Sequence, residues 1–245
     1  MDPYSFLDLG ADLMLTTVYA ALPNPPVSLA APLTAARAWV RGDRVDRISR
    51  LPDAALHEVV ARLPAKDAAR TTVLSSRWRH AWHHAPLVLV DAHLLPGAAA
   101  WDGRRPGLEE SRAVTATVSH ILAAHPGPFR AVHLTCNYMD AHRAELARWL
   151  QLLTAKGVQD LAFVNRPWPC DLRLPGELFR CAFLTRLYLG VWRFPDTGAL
   201  PRGTAFPNLR ELGLCFNVME DRDLSFLLAR SPALETLSVN SSQSD

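Results

Sequence analysis

The chain has 245 residues, 49% of them hydrophobic and 20% charged, which supplies a substantial core and excludes disorder over most of its length. Twenty-six Lys and Arg against 24 Asp and Glu leave a formal charge of +2, too balanced for the concentrated basic surface that nucleic acid requires. No apolar run reaches the roughly 18 residues of a membrane span, and Cys136, Cys170, Cys181 and Cys215 occur singly, as reduced core thiols of an intracellular protein would.

Residues 1–42 form an Ala/Leu-rich leader. Leu9, Leu13, Val18 and Leu22 predict one short amphipathic helix near 6–21, after which Pro23, Pro25, Pro26 and Pro32 break regular structure. Leu13 to Leu22 has the length of a signal-peptide core, but Asp2, Asp8 and Asp12 precede it instead of Lys or Arg. The leader reads as a loosely docked tail, with a partner-binding helix as the alternative.

Residues 43–91 are helical in pattern. Leu56, Val59, Val60 and Leu63 recur at helical spacing, with Pro52 at the first helical position, Asp53 on the positive end of the helix dipole and Pro64 as the stop. A second helix starts near Lys66–Asp67, and Ser75 or Ser76 caps a third that bears Trp78 and Trp82. Each is too short to be stable alone, so they pack on one another or on a partner. Residues 92–128 make a helical connection.

From 129 to 245 the chain repeats. Apolar alternations fall at Val132/Leu134, Leu161/Phe163, Leu187/Leu189, Leu212/Leu214 and Leu237/Val239, with second members 29, 26, 25 and 25 residues apart. That period and the cores Leu209-Arg-Glu-Leu-Gly-Leu214 and Leu234-Glu-Thr-Leu-Ser-Val239 fit leucine-rich repeats. Helical stretches lie between, with Leu146, Trp149, Leu150 and Leu153 inward in one and Leu224, Leu227 and Leu228 in another. The predicted fold is α/β, a trihelical unit followed by a leucine-rich-repeat solenoid of alternating parallel strands and helices. An ordinary α/β domain with parallel strands is the alternative.

Residues 46–91 read Asp46-Arg-Ile-Ser-Arg-Leu-Pro-Asp53, then Leu63-Pro-Ala-Lys-Asp-Ala-Ala-Arg-Thr71, Val73-Leu-Ser-Ser-Arg-Trp-Arg79 and Leu87-Val-Leu-Val-Asp91. In this order and spacing the segment resembles the plant F-box, and Phe206-Pro-Asn-Leu-Arg-Glu-Leu212 after it resembles plant F-box/LRR-repeat proteins. The resemblance implies a substrate-recognition subunit of an SCF-type ubiquitin ligase, cytoplasmic and/or nuclear, with a Skp-family adaptor and, through it, a cullin scaffold as partners. By the resemblance, Leu51, Pro52, Leu56, Val60, Leu63, Pro64, Val73, Leu74 and Trp78 match the family's adaptor contacts. Leu74 and Trp78 are expected partly in the F-box core, and Leu51, Pro52 and Val60 mostly at the interface. A protein substrate of unknown identity would meet the strand-lined concave face, where His133, Arg186, Tyr188, Arg210 and Glu211 are expected exposed.

No catalytic motif, cofactor or metal is expected. His80 and His84 are four apart, but no third ligand of suitable spacing follows, and a solvated helix end explains them. Asp140, Glu145, Glu220, Asp221 and Asp223 fit capping or solvation better than paired acid/base work. The chain stops after the fifth predicted strand in Ser-Ser-Gln-Ser-Asp, without a recognisable capping unit, which suggests truncation. The competing function is therefore a non-catalytic F-box fragment that binds the adaptor without recruiting a substrate.

Overall fold

The computed structural model describes residues 13–27, 48–95, 107–166, 172–200 and 203–240. The leader helix α1 spans 13–21 within them. Three helices follow, α2 (Asp53–Ala61), α3 (Ala65–Arg70) and α4 (Ser76–His84). Pro52 takes the cap position of α2, one residue before the place its sequence suggests, and Pro64 does the same for α3. Ser75 caps α4 by accepting the Trp78 N–H.

Six parallel strands then form one sheet in sequence order: β1 (Leu87–Val90), β2 (Phe129–Leu134), β3 (Asp160–Val164), β4 (Arg186–Gly190), β5 (Glu211–Cys215) and β6 (Thr236–Asn240). The register aligns the repeats: Val132, Leu161, Leu187, Leu212 and Leu237 are successive partners, as are Leu134, Phe163, Leu189, Leu214 and Val239. These rows face α5 (Leu108–Ala124), α6 (Arg143–Ala155) and α7 (Asp221–Ala229), and one core runs from Leu56 in α2 to Leu227 in α7. The α6 stripe Leu146, Trp149, Leu150 and Leu153 is buried as its period requires. In α7 Leu227 is buried and Leu224 packs on the core, whereas Leu228 points outward, because the inward stripe runs through 223, 224 and 227.

The sheet starts one strand earlier than the repeat spacing indicates. Leu87–Val90 follows directly on α4, pairs with β2, and is bridged on its other side by Pro64. All four residues are buried, so the continuous apolar run here is an edge strand covered on both faces. Asp91, just past β1, pins it to the next repeat: its carboxylate accepts the N–H groups of Thr135 and Cys136 at 2.8 and 2.7 Å and the Asn137 amide at 3.0 Å. Full burial raises the Asp91 pKa, and those N–H donors pull against the rise.

Asparagine repeats the device between β4 and β5. Asn217 donates to the Leu189 carbonyl at 2.9 Å and accepts the Trp192 N–H at 3.0 Å, satisfying backbone groups that the turn leaves open. Val191 and Phe216, at matching places after β4 and β5, adopt φ of 60° and 52° in these turns.

Candidate protein-interaction surfaces

The F-box region exposes apolar side chains on one side. Arg77 reaches from α4 to the Asp53 carboxylate, 2.7 Å away, and donates to the Leu51 carbonyl, which brings the Pro52 turn beside the turn before α4. On that side Val73 is 83% and Leu74 63% exposed, next to exposed Pro52 and partly exposed Leu51; Val59 and Ile48 are exposed as well. Leu56 and Val60 instead face the chain's own core, Val60 at 0% exposure, since α2 turns positions 56 and 60 toward α4 and β1. Trp78 is buried with them, while Leu63 and Pro64 are half-buried, Leu63 packed against the same core. The expected division between core and interface is thus reversed for two residues: Val60 is core, and Leu74 is surface.

The second surface is the strand face opposite the helices. Parallel pairing in register puts the first residues of β3, β4 and β5 side by side, Asp160, Arg186 and Glu211, in alternating charge. Arg186 donates to Asp160 at 2.6 Å, and His133 lies 3.6 Å from the other Asp160 oxygen. Tyr188 crosses to β5 and donates its phenol to Glu211. Only glycine permits that path, because a Cβ at Gly213 would stand 2.3 Å from the Tyr188 ring. Burial, and then the Glu211 carboxylate, raise the Tyr188 pKa.

Arg186 is exposed and Glu211 half-buried here, whereas His133 and Tyr188 are buried, against the expectation that all the strand-side residues are open. Arg210 sits apart, in the loop before β5, paired at 2.9 Å with Glu235 in the loop before β6. Asp160 joins His133 to Arg186 and was not singled out from the sequence. Its position immediately before Leu161, matching Arg186 before Leu187, is the signal that identifies it.

Much of this face is covered by the leader. Val18 of α1 is fully buried among Val164, Val191 and Cys215, and Val27 packs on Val88, Val90 and Ala131. Tyr19 donates to the Thr135 carbonyl at 2.7 Å and accepts from buried Arg166 at 3.0 Å, with the guanidinium 5.9 Å from the ring centre. Burial raises the Tyr19 pKa, and Arg166 opposes the rise. Residues 13–27 are therefore a docked element and not a loose tail; Leu13 faces outward, and Leu9 lies outside the described residues.

Cys136, Cys181 and Cys215 are free and buried, and Cys170 lies outside the described residues. Asp223 caps α7 by accepting the Glu220 N–H at 2.9 Å and accepts the Thr197 hydroxyl at 2.8 Å. His57 of α2 lies near His80 and His84, with ring centres 6.2 Å from each, yet no group of His, Cys, Asp and Glu among the described residues is disposed to hold a metal ion. No described helix is long and apolar enough to cross a membrane.

Comparison with known proteins places names on the two parts. The F-box domain family matches residues 48–88, and the family described as the LRR repeats of FBD-associated F-box protein At5g56370 matches residues 146–245. From Arabidopsis thaliana, FBD-associated F-box protein At4g13985 is 29% identical over 206 residues, covering 81% of this chain and 43% of that protein. F-box/LRR-repeat protein 13 is 28% identical over 210 residues (83% and 43%), and F-box/LRR-repeat protein At3g59200 is 32% identical over 198 residues (78% and 36%). The chain thus spans less than half the length of these curated relatives. No solved structure matches it. With an F-box at its trihelical end and leucine-rich repeats along its parallel sheet, the chain is a plant-type F-box/LRR-repeat protein.

Proposed function

We propose that the chain is the substrate-recognition subunit of an SCF-type ubiquitin ligase. In this reading the exposed F-box face docks a Skp-family adaptor and, through it, a cullin scaffold, while the repeats hold a target protein. The chain performs no chemistry; it raises the target's effective concentration near the ubiquitin-charged enzyme. The observation that carries the reading is the pair Val73 and Leu74, two adjacent aliphatic residues left largely in water on a unit whose own core is filled.

Burying an aliphatic side chain contributes about 1.5–3 kcal/mol, so Val73→Asp/Leu74→Asp is expected to weaken adaptor binding at least about 100-fold. Because both side chains are exposed, thermal stability stays within about 1 kcal/mol of wild type. Co-expression with a plant Skp-family adaptor and size-exclusion chromatography provide the test. A folded wild-type chain that forms no one-to-one complex, or a double variant that binds as well as wild type, overturns the assignment.

The docked leader favours a second reading, in which the chain occupies the adaptor without delivering a substrate. Ubiquitination of a protein captured with the assembled complex separates the two.

A further inference from the structure

The strand face opposite the helices already holds a ligand, and that ligand is part of the chain. Residues 13–27 span it from β1, where Val27 is seated, to the ends of β4 and β5, where Ala21 and Leu22 line a crevice with Gly213 and Cys215. The floor is built from small residues, Ala131, Ala162, Gly190 and Gly213. The fit leaves no slack at Gly190, where a Cβ would lie 3.0 Å from the Val18 methyl.

One phenol receives two dedicated partners, the Thr135 carbonyl and the buried Arg166, the latter placed on the turn after β3. A buried arginine is costly to keep without partners, so this arrangement belongs to a polar anchor and not to incidental contact. The nine described residues of α1, 13–21, carry Leu15 and Val18 buried, so this stretch of helix is held by docking.

Resting on the reading that the repeats recognise protein, we infer that this face is a receptor for an amphipathic helix presenting an aliphatic residue followed by tyrosine, with α1 as its resident occupant. A partner helix of the same pattern competes with α1 for the Gly190 seat and the Thr135–Arg166 anchor. Tethered ligands act at effective concentrations of order millimolar. Against a resident whose own intrinsic affinity is about 10 µM, a free helix binds about 100-fold more weakly than to the vacated face.

The probe is a fluorescein-labelled peptide of residues 12–27, titrated into the 245-residue chain by anisotropy. Tyr19→Phe in the chain removes the phenol from the resident and is expected to strengthen binding of the unmodified peptide about tenfold; the same substitution in the peptide weakens it about tenfold. Val18→Asp/Tyr19→Ala in the chain is expected to strengthen peptide binding about 100-fold, and adding Gly190→Val to that variant abolishes it. Equal affinity for wild type and Tyr19→Phe, or binding that Gly190→Val leaves intact, overturns the inference. So does failure of the peptide to bind any variant whose circular dichroism and unfolding temperature are those of a folded chain. Tyr19→Phe loses only a hydroxyl, so it keeps the test decisive if the double variant does not fold. Adaptor binding, measured in parallel, is expected unchanged in Tyr19→Phe, so a failed F-box assignment is distinguishable from a failed receptor assignment.

Discussion

Lowering the pH is expected to loosen the joint between the F-box and the repeats at one histidine. His125, between α5 and β2, has no exposed surface. Its Nε2 lies 3.2 Å from the Ala85 carbonyl at the end of the F-box helices and 3.3 Å from the Pro128 carbonyl before β2. The Trp82 and Phe129 rings pack edge-on at 4.9 and 5.2 Å, and Lys156 donates to the His125 carbonyl. Nδ1 is buried with no hydrogen-bond partner, so protonation would place a new charged N–H in an apolar pocket beside an ammonium. Burial, with the Lys156 charge adding to it against the pull of the two carbonyls, holds the pKa at about 4 instead of 6.5. The folded pKa lies below the unfolded one, so the stabilisation is complete above pH 6.5 and is lost as pH falls toward 4. By linkage the loss between pH 7.5 and 5.0 is about 2 kcal/mol, out of about 3 kcal/mol at complete titration. Urea unfolding followed by tryptophan fluorescence measures it, as a drop of about 1 M in midpoint. His125→Gln is expected to abolish that part of the drop while leaving contributions shared by both proteins, such as that of His93, in place. Equal losses in wild type and His125→Gln would refute the reasoning.

Three other substitutions probe separate links. Gly213→Ala forces the Tyr188 ring off β5 and breaks its bond to Glu211, at about 1–3 kcal/mol, read as a lower unfolding temperature and an altered near-ultraviolet dichroism. Asn217→Ala leaves the Trp192 N–H and Leu189 carbonyl without their side-chain partner and is expected to cost about 1–3 kcal/mol in denaturant unfolding. Val60→Asp buries an unpaired carboxylate in the shared core and is expected to prevent stable folding, seen as lost solubility or a collapsed thermal transition, whereas Val73→Asp/Leu74→Asp leaves the fold intact.

Much of the architecture is legible from spacing, because a parallel register copies a sequence period directly into neighbouring positions. The five apolar pairs fall on matching rungs of β2 to β6 for that reason. β1 is less legible: its LVLV run carries no alternation, since both faces are covered, and it lies about forty residues before its partner, beyond the period of the later repeats. Helix spacing likewise identifies an apolar stripe on α2 without saying what covers it, so Val60 and Leu74 exchange roles once the helices pack. The anchor of Tyr19 is invisible to any local pattern, for it depends on Arg166, 147 residues away.

The placement of β1 also determines how the two parts work together. A first strand with a bare edge would offer unpaired backbone to any other strand, and here Pro64 of the F-box bridges it while the F-box helices share its core. Under the proposed function, a swivelling joint would spread the positions of a bound target and dilute the concentration gained by tethering. A continuous core from Leu56 to Leu227, sealed at the junction by His125 and closed on Gly127, whose Cβ would meet the His83 carbonyl at 2.6 Å, leaves no such swivel. The same strand therefore ends the F-box, begins the sheet and fixes the angle between the two.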